Sequence, residues 1–143
     1  MSENNGFIKS VAVVIFKKDK VLLIKSSETS GHLTGMYSLP AGRLEKNETY
    51  EQAALREFEE ESGLKTKTEY LIRLPTFYKA SLKRKTESRK FCAWSFYCIK
   101  YWGKLKASSE GEPQWIDIEK LKNLNLQVNV ENMINEAINH VRT

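Results

Sequence analysis

No uninterrupted apolar stretch of the chain approaches transmembrane length, and residues 1–6 are polar, without the apolar run of a secretory leader. These absences argue against a spanning helix and a signal peptide. They predict a soluble, cytoplasmic protein with no membrane partner and a disordered tail over residues 1–6. Cysteine is scarce: only Cys92 and Cys98 occur, in an aromatic stretch, at a spacing that fits neither a zinc knuckle nor a redox CxxC pair. Buried free thiols, suited to a reducing compartment, are the expectation. His32 and His140 are the only histidines, and neither has a companion that would make it a ligand. No repeat, low-complexity tract, linker or RNA-binding motif is present. With 143 residues, 41% of them hydrophobic, the chain has material for one core, so a single domain over residues 1–143 is expected.

Charge is plentiful and unevenly placed. The net charge is +5, with basic residues gathered at Lys83-Arg84-Lys85 and Arg89-Lys90. Such a run is ordinarily a solvated loop face; beside an acidic metal site it would also favour approach of polyanions such as nucleotides or RNA ends. The acidic residues concentrate in residues 42–64, GRLEKNETYEQAALREFEEESGL. Glu57, Glu60 and Glu61 stand at i, i+3 and i+4 and fall within one helical arc of about 100°. Like charges at these spacings repel, and a divalent cation removes the penalty. Hard oxygen donors with no Cys or His nearby suit magnesium or manganese rather than zinc, and magnesium commonly binds through a few carboxylates plus substrate phosphates.

Thr49 followed by Gln52 has the spacing of a capping box, and Gly63 suits the left-handed position past a helix end, so a helix is predicted over residues 50–62. Ala54, Leu55 and Phe58 give it an apolar stripe. Leu39-Pro40-Ala41-Gly42 reads as a strand end entering a turn, with Gly42 taking a backbone conformation closed to other residues and its carbonyl available to a metal. Taken singly, Gly42 is better explained by a simple turn, and the Glu cluster by a solvated face. The joint spacing changes that.

Residues 9–16 and 21–24 read as a β-hairpin of strands covered on both faces, and residues 37–39 as a short strand. Residues 70–78 and 91–101 are strand-like, with residues 79–90 as the loop or hairpin tip between them. Residues 114–116 look like a final strand, 117–121 like a helical turn, and Met133, Ile134, Ala137, Ile138 and Val141 give residues 130–141 the apolar period of a helix. A mixed sheet between helical layers follows.

Gly42, Glu48, Arg56, Glu57, Glu60, Glu61 and Gly63 occupy the frame G-x5-E-x7-R-E-U-x-E-E-x-G-U, with Phe58 and Leu64 in the apolar slots U. With average residue usage, a chance match is below roughly one in a million. The chain thereby resembles the Nudix hydrolases, which cut diphosphate bonds in nucleoside diphosphate-linked compounds. The resemblance implies an α/β/α sandwich with Mg2+ as cofactor, Mn2+ as substitute, and a homodimer as one assembly option. By position, Glu60 and Glu61 resemble the main metal ligands, with the Gly42 carbonyl. Glu57 resembles either a further ligand or the base that deprotonates water, Arg56 the arginine that orients it, and Glu48 a supporting residue. A glutamate before the final strand often joins such a site; Glu112 is the first match and Glu110 the second. Lys25 resembles a position that carries a basic residue to the substrate phosphate. Tyr37, Phe77, Tyr78 and Trp94 are candidates to stack on a base, although strand aromatics more often belong to the core.

Neither Pro75 nor Tyr78 fits cleanly the markers of ADP-ribose or diadenosine polyphosphate enzymes, and Leu39-Pro40 departs from the Glu-Pro of many ADP-ribose hydrolases. A free nucleotide such as a (deoxy)nucleoside triphosphate is the expected substrate. RNA 5′ pyrophosphate removal, ADP-ribose or nucleotide-sugar cleavage and a non-catalytic nucleotide-sensing domain are the alternatives.

Overall fold

Alternate residues of a strand face opposite sides of its sheet. In β1 (Ile8–Val14) both sides are apolar, so Val11 and Val13 enter one core cluster while Ala12 and Val14 enter another. This is a computed structural model that describes residues 7–27, 35–83 and 88–142. The expected tail at residues 1–6, His32, Arg84 and Lys85 lie outside the described residues.

After β1 the chain changes sheet. Only β2 (Phe16–Lys17) turns back onto β3 (Lys20–Ser26), with Phe16 opposite Val21 and Lys18 at φ 56° in the turn where glycine or asparagine is usual. The hairpin expected over residues 9–24 is therefore short, because both edges of β1 are already occupied. β4 (Tyr37–Ser38) pairs with β3, and β5 (Ala41–Arg43) pairs with β1. α1 (Tyr50–Ser62) follows with the predicted boundaries. β6 (Leu64–Lys65) and a 3-10 turn at Thr68–Tyr70 lead to β7 (Leu71–Lys83), β8 (Ser88–Cys98) and β9 (Trp102–Gly103), which closes on β6. β10 (Gly111–Asp117), a 3-10 turn at Ile118–Asn123 and α2 (Val130–Arg142) complete the order.

One sheet runs β5-β1-β8-β7 and is mixed, since β1 and β8 are parallel while the other pairs are antiparallel. The second runs β10-β3-β2 with β4 on β3. α1 buries Ala53, Ala54 and Phe58 among Val11, Val13, Leu22 and Phe96; α2 buries Met133, Ile134 and Ala137 among Val14, Leu23, Leu39 and Leu74. Each fully buried Phe58 or Ile134 side chain contributes about 1.5–3 kcal/mol relative to exposure. Helices thus cover both faces of the strands, giving the expected α/β/α layering. The apolar stripes are narrower than their sequence pattern: Leu55 is only partly buried and Val141 is exposed.

Residues 79–90 were expected as a loop or hairpin tip; the antiparallel β7–β8 pair bears out the hairpin, and its ladder continues to Lys83 opposite Ser88. A ribbon whose backbone groups pair with each other tolerates charged side chains on open faces. Nearer the core, the register shifts between Arg73 and Phe77, where Pro75 has no amide to give the ladder. The bulge is tied to α2 through Glu136, which accepts from the Thr76 amide at 3.0 Å and hydroxyl at 2.7 Å and from the Tyr78 hydroxyl at 3.0 Å.

Candidate active site

The helix carrying the acidic residues is fixed at both ends. Thr49 Oγ1 accepts from the Gln52 amide at 3.0 Å, and Gln52 Oε1 accepts from the Thr49 amide at 2.9 Å. Gly63 takes φ 83° and its amide donates to the Glu59 carbonyl, the left-handed cap that its position called for.

Between these ends Arg56 commits all five of its N–H donors. Nε and Nη2 donate to Glu48 Oε2 and Oε1 at 2.8 and 2.9 Å, a bidentate fork. Nη2 also donates to the Arg43 carbonyl at 3.0 Å, and Nη1 donates to Glu57 Oε2 at 2.8 Å and Glu60 Oε1 at 3.2 Å. The fork pulls the Glu48 carboxyl below its ordinary range, and Glu48, followed by Glu57, pushes Arg56 upward. Glu48 Oε1 accepts in addition from the Glu45 amide at 2.8 Å, so the same network fastens the loop before α1 to the helix.

Glu57 and Glu61 behave in the opposite sense. Burial pushes both carboxyls up; Arg56 opposes this at Glu57, and the Ala41 amide, donating to Glu61 Oε1 at 2.9 Å, opposes it at Glu61. Repulsion among Glu57, Glu60, Glu61 and Glu110 adds to the effect. Here two acidic groups are buried with less compensation than their charge requires, which is the electrostatic situation a cation relieves. Among the described residues no three ligand side chains already form a metal cage. Arg56 Nη1 bridges Glu57 and Glu60, whose side chain is 59% exposed.

Gly42 differs from expectation. Its backbone is not in the left-handed region, where only Gly35, Gly63 and Gly103 occur among the described glycines. Glycine is needed for space: a Cβ at position 42 would fall inside the Glu57 carboxyl.

These residues line one cleft of about 560 Å³. Gly42, Arg56, Glu57, Glu60 and Glu61 form one wall; Gln127, Val130 and Met133, at and before the start of α2, belong to the other. Glu110 lines the cleft, whereas exposed Glu112 faces Lys25 across the β3–β10 ladder and accepts from Gln114 Nε2 at 2.8 Å. Neither Glu112 nor Lys25 is among the lining residues. Glu110 is held by backbone pairing, its carbonyl accepting from the Ser27 amide at 3.2 Å and its amide bonding Ser108 Oγ at 3.2 Å. Of the four aromatic candidates only Tyr78 lines the cleft, and burial together with Glu136 pushes its hydroxyl up to about 12. Trp94 instead packs against Phe77 in a tilted pair with centroids 4.9 Å apart and lies under the Arg73 guanidinium. Gln127 and Met133 had no sequence signal as cleft residues, since the cleft forms only when α2 packs across the sheet.

Hard carboxylate oxygens in an anionic, partly buried cluster fit magnesium or manganese. Glu57, Glu60, Glu61 and Glu110 are the candidate donors that line this cleft.

Known proteins resemble this chain in sequence and in fold. The chain is 37% identical over 83 residues to Nudix hydrolase 6 of Arabidopsis thaliana, covering 57% of this chain and 29% of that protein. It is 43% identical over 53 residues to an 8-oxo-dGTP diphosphatase of Proteus vulgaris, covering 37% of this chain and 47% of that one. The chain therefore spans less than half the length of these curated relatives. The solved MutT protein from Methanosarcina mazei Go1 superposes with a TM-score of 0.72 over 100% of both chains at 24% identity, sharing the fold. With the NUDIX domain model matching residues 6–136, the chain belongs to the Nudix family.

Proposed function

We propose that this chain hydrolyses a phosphoanhydride bond in a nucleoside diphosphate-linked compound, with a free (deoxy)nucleoside triphosphate as substrate and magnesium as cofactor. One observation carries the reading: four carboxylates, Glu57, Glu60, Glu61 and Glu110, converge on one cleft whose opposite wall is largely apolar. Glu60 and Glu61, with the Gly42 carbonyl, would hold the cation. When bound, it supplies positive charge to the diphosphate oxygens and makes water a better acid. Glu57 accepts the water proton, since burial raises its basicity and Arg56 fixes its position. Glu48 serves by holding Arg56. Glu110, rather than Glu112, is the loop carboxylate of this proposal. The 8-oxo-dGTP diphosphatase relative supports a nucleoside triphosphate, and the buried thiols Cys92 and Cys98 fit the reducing cytoplasm.

The test is phosphate and pyrophosphate release with magnesium across nucleoside triphosphates, dinucleoside polyphosphates, nucleotide sugars, ADP-ribose and 5′-triphosphorylated RNA, run beside Glu60→Gln. Loss of about a hundredfold in rate is expected. An unchanged rate in the variant overturns the site.

A second reading has its own observation. Exposed Lys79 and Lys90 flank Ala80 and Phe91, which line the cleft, so a cationic ribbon adjoins the acidic site. An RNA 5′ end would place its phosphates there. Preference for RNA over free nucleotides, together with steep salt dependence, would favour this reading.

A further inference from the structure

Beyond the C-terminal end of α1, two short segments bring like charges together. Residues 64–68 (LKTKT) and 99–109 (IKYWGKLKASS) carry Lys65, Lys67, Lys100, Lys104 and Lys106, all exposed, and no Asp or Glu. Lys65 has Glu59 of α1 at 3.8 Å, the outer limit of an ion pair. The segments form one ribbon. Lys65 stands opposite Trp102 in the β6–β9 pair, so their side chains share the face turned away from buried Leu64. The Lys106 amide donates to the Ser62 carbonyl at 2.8 Å, the Thr66 hydroxyl to the Lys100 carbonyl at 2.5 Å and the Ile99 amide to the Tyr70 carbonyl at 2.9 Å. Gly63 belongs to the same join. A Cβ there would come within 2.6 Å of the Lys106 Cβ and 2.8 Å of the Lys104 carbonyl oxygen, so the glycine that caps α1 also lets the ribbon close on the helix. On this fixed backbone Trp102 is 45% exposed and Ile99 56%. None of these residues lines the cleft.

We propose that the β6–β9 ribbon docks single-stranded nucleic acid, with Trp102 stacking on an unpaired base and the lysines holding the phosphates to either side. Cationic surfaces with an aromatic platform take single strands in this way, because every base presents a π face while the backbone presents a row of negative charge. Charge complementarity selects the partner: the clustered lysines answer a polyanion and raise the potential that draws it in. A lipid surface would need a broader apolar face than Trp102 and Ile99 provide, since interfacial binding scales with the apolar area buried. A duplex keeps its bases stacked on one another and leaves Trp102 no face to meet. The backbone bonds of the ribbon are made before any strand arrives, which limits the ordering cost of docking. From Lys106 the chain reaches Glu110, which lines the cleft, in four residues, so the docked strand lies beside that site. Docking breaks no bond and stands apart from the hydrolysis proposed for the cleft.

The test uses the full chain in EDTA and a 3′-fluorescein-labelled oligouridylate with a 5′ hydroxyl, which offers the cleft no phosphoanhydride. Fluorescence anisotropy across a salt series reads affinity and the number of phosphates engaged. The native chain is expected to bind, with log K falling against log salt at a slope of about −2 to −3.5, as engagement of most of the lysines requires. Lys104→Ala with Lys106→Ala should make the slope shallower by about 1.4, and Trp102→Ala should weaken binding about tenfold at an unchanged slope. The same strand annealed to oligoadenylate should bind more weakly. Lys79→Ala with Lys90→Ala, on the other cationic ribbon, should bind as the native chain does. All the exchanged side chains are exposed, so melting temperatures should stay within about 2 °C of the native value. No binding at low salt, equal binding of strand and duplex, or binding indifferent to Trp102→Ala and to the Lys104 and Lys106 exchanges overturns the proposal. So does tighter association with phosphatidylserine-rich vesicles than with the strand, which would assign the surface to a membrane. Phosphate release from free nucleotides is scored separately in magnesium, so failure of the hydrolase reading and failure of the docking surface are distinct.

Discussion

Arg56 offers the most demanding test of the site's architecture. Arg56→Met keeps an unbranched stem for packing and removes five hydrogen bonds to Glu48, Glu57, Glu60 and the Arg43 carbonyl. The Arg56 and Glu48 side chains are only 21% and 12% exposed, so solvent cannot replace the lost partner well. Breaking a buried pair from one side costs about 3–5 kcal/mol, and partial exposure places this case near about 3 kcal/mol. For a chain of this length, with an unfolding entropy of about 0.3 kcal/mol per degree, the melting temperature should fall by about 10 °C. Urea unfolding of Arg56→Met, Glu48→Gln and the double variant, all in EDTA, isolates the pair. A coupling of about 1.5–3 kcal/mol is expected for a charge-assisted fork. Since Arg56 holds the folded Glu48 carboxyl below its ordinary value of 4.5, the contribution is complete above that value. It is lost as pH falls through the lower folded one. The advantage of the native chain over Glu48→Gln should therefore shrink only below about pH 4.5. Additive single effects, with coupling below about 0.5 kcal/mol, would refute the organising role given to Arg56.

Glu61→Gln keeps the oxygen that accepts from Ala41 but removes a buried charge, so the metal-free melting temperature should rise while the stabilisation by added magnesium disappears. Thermal scans with and without magnesium check both signs, and a variant as magnesium-responsive as the native chain would contradict the donor set. Gly42→Ala should displace the flexible end of Glu57 and lower kcat about a hundredfold, with little change in the urea midpoint. Steady-state kinetics beside unfolding curves separates these effects. Cys92 and Cys98 are buried, and burial pushes the Cys98 thiol up, so neither should react with a disulfide reagent at pH 8 until guanidinium is added, after which both should titrate.

The α1 helix and its acidic face were legible because their determinants are local. Caps, carboxylate spacing and the terminal glycine all lie in residues 42–64, and the helix boundaries match the reading residue for residue. The layering was also readable, since β1 and β3 are apolar on both faces. What the sequence left hidden depends on distant neighbours. Glu110 and Glu112 are alike as residues, and only the β3–β10 register sends one into the cleft and the other beside Lys25. Gly42 was legible as a required glycine but for another reason, because the side chain that fills its space comes from α1. Pairing partners likewise decided how short the β2–β3 hairpin is and how far the basic β7–β8 ribbon extends.

The parallel join of β1 to β8 governs how the chain can be assembled. Ser10 and Cys92, bonded across that join, are 82 positions apart in the sequence. A nascent chain that has emerged only through α1 holds every acidic group of the helix and none of the strand that seals β1. At about 5–20 residues per second it must wait several seconds for closure. Long-range strand pairing of this kind makes folding slow, and a fragment ending at Leu64 would carry the complete 42–64 motif without Glu110 or the strand that seals β1.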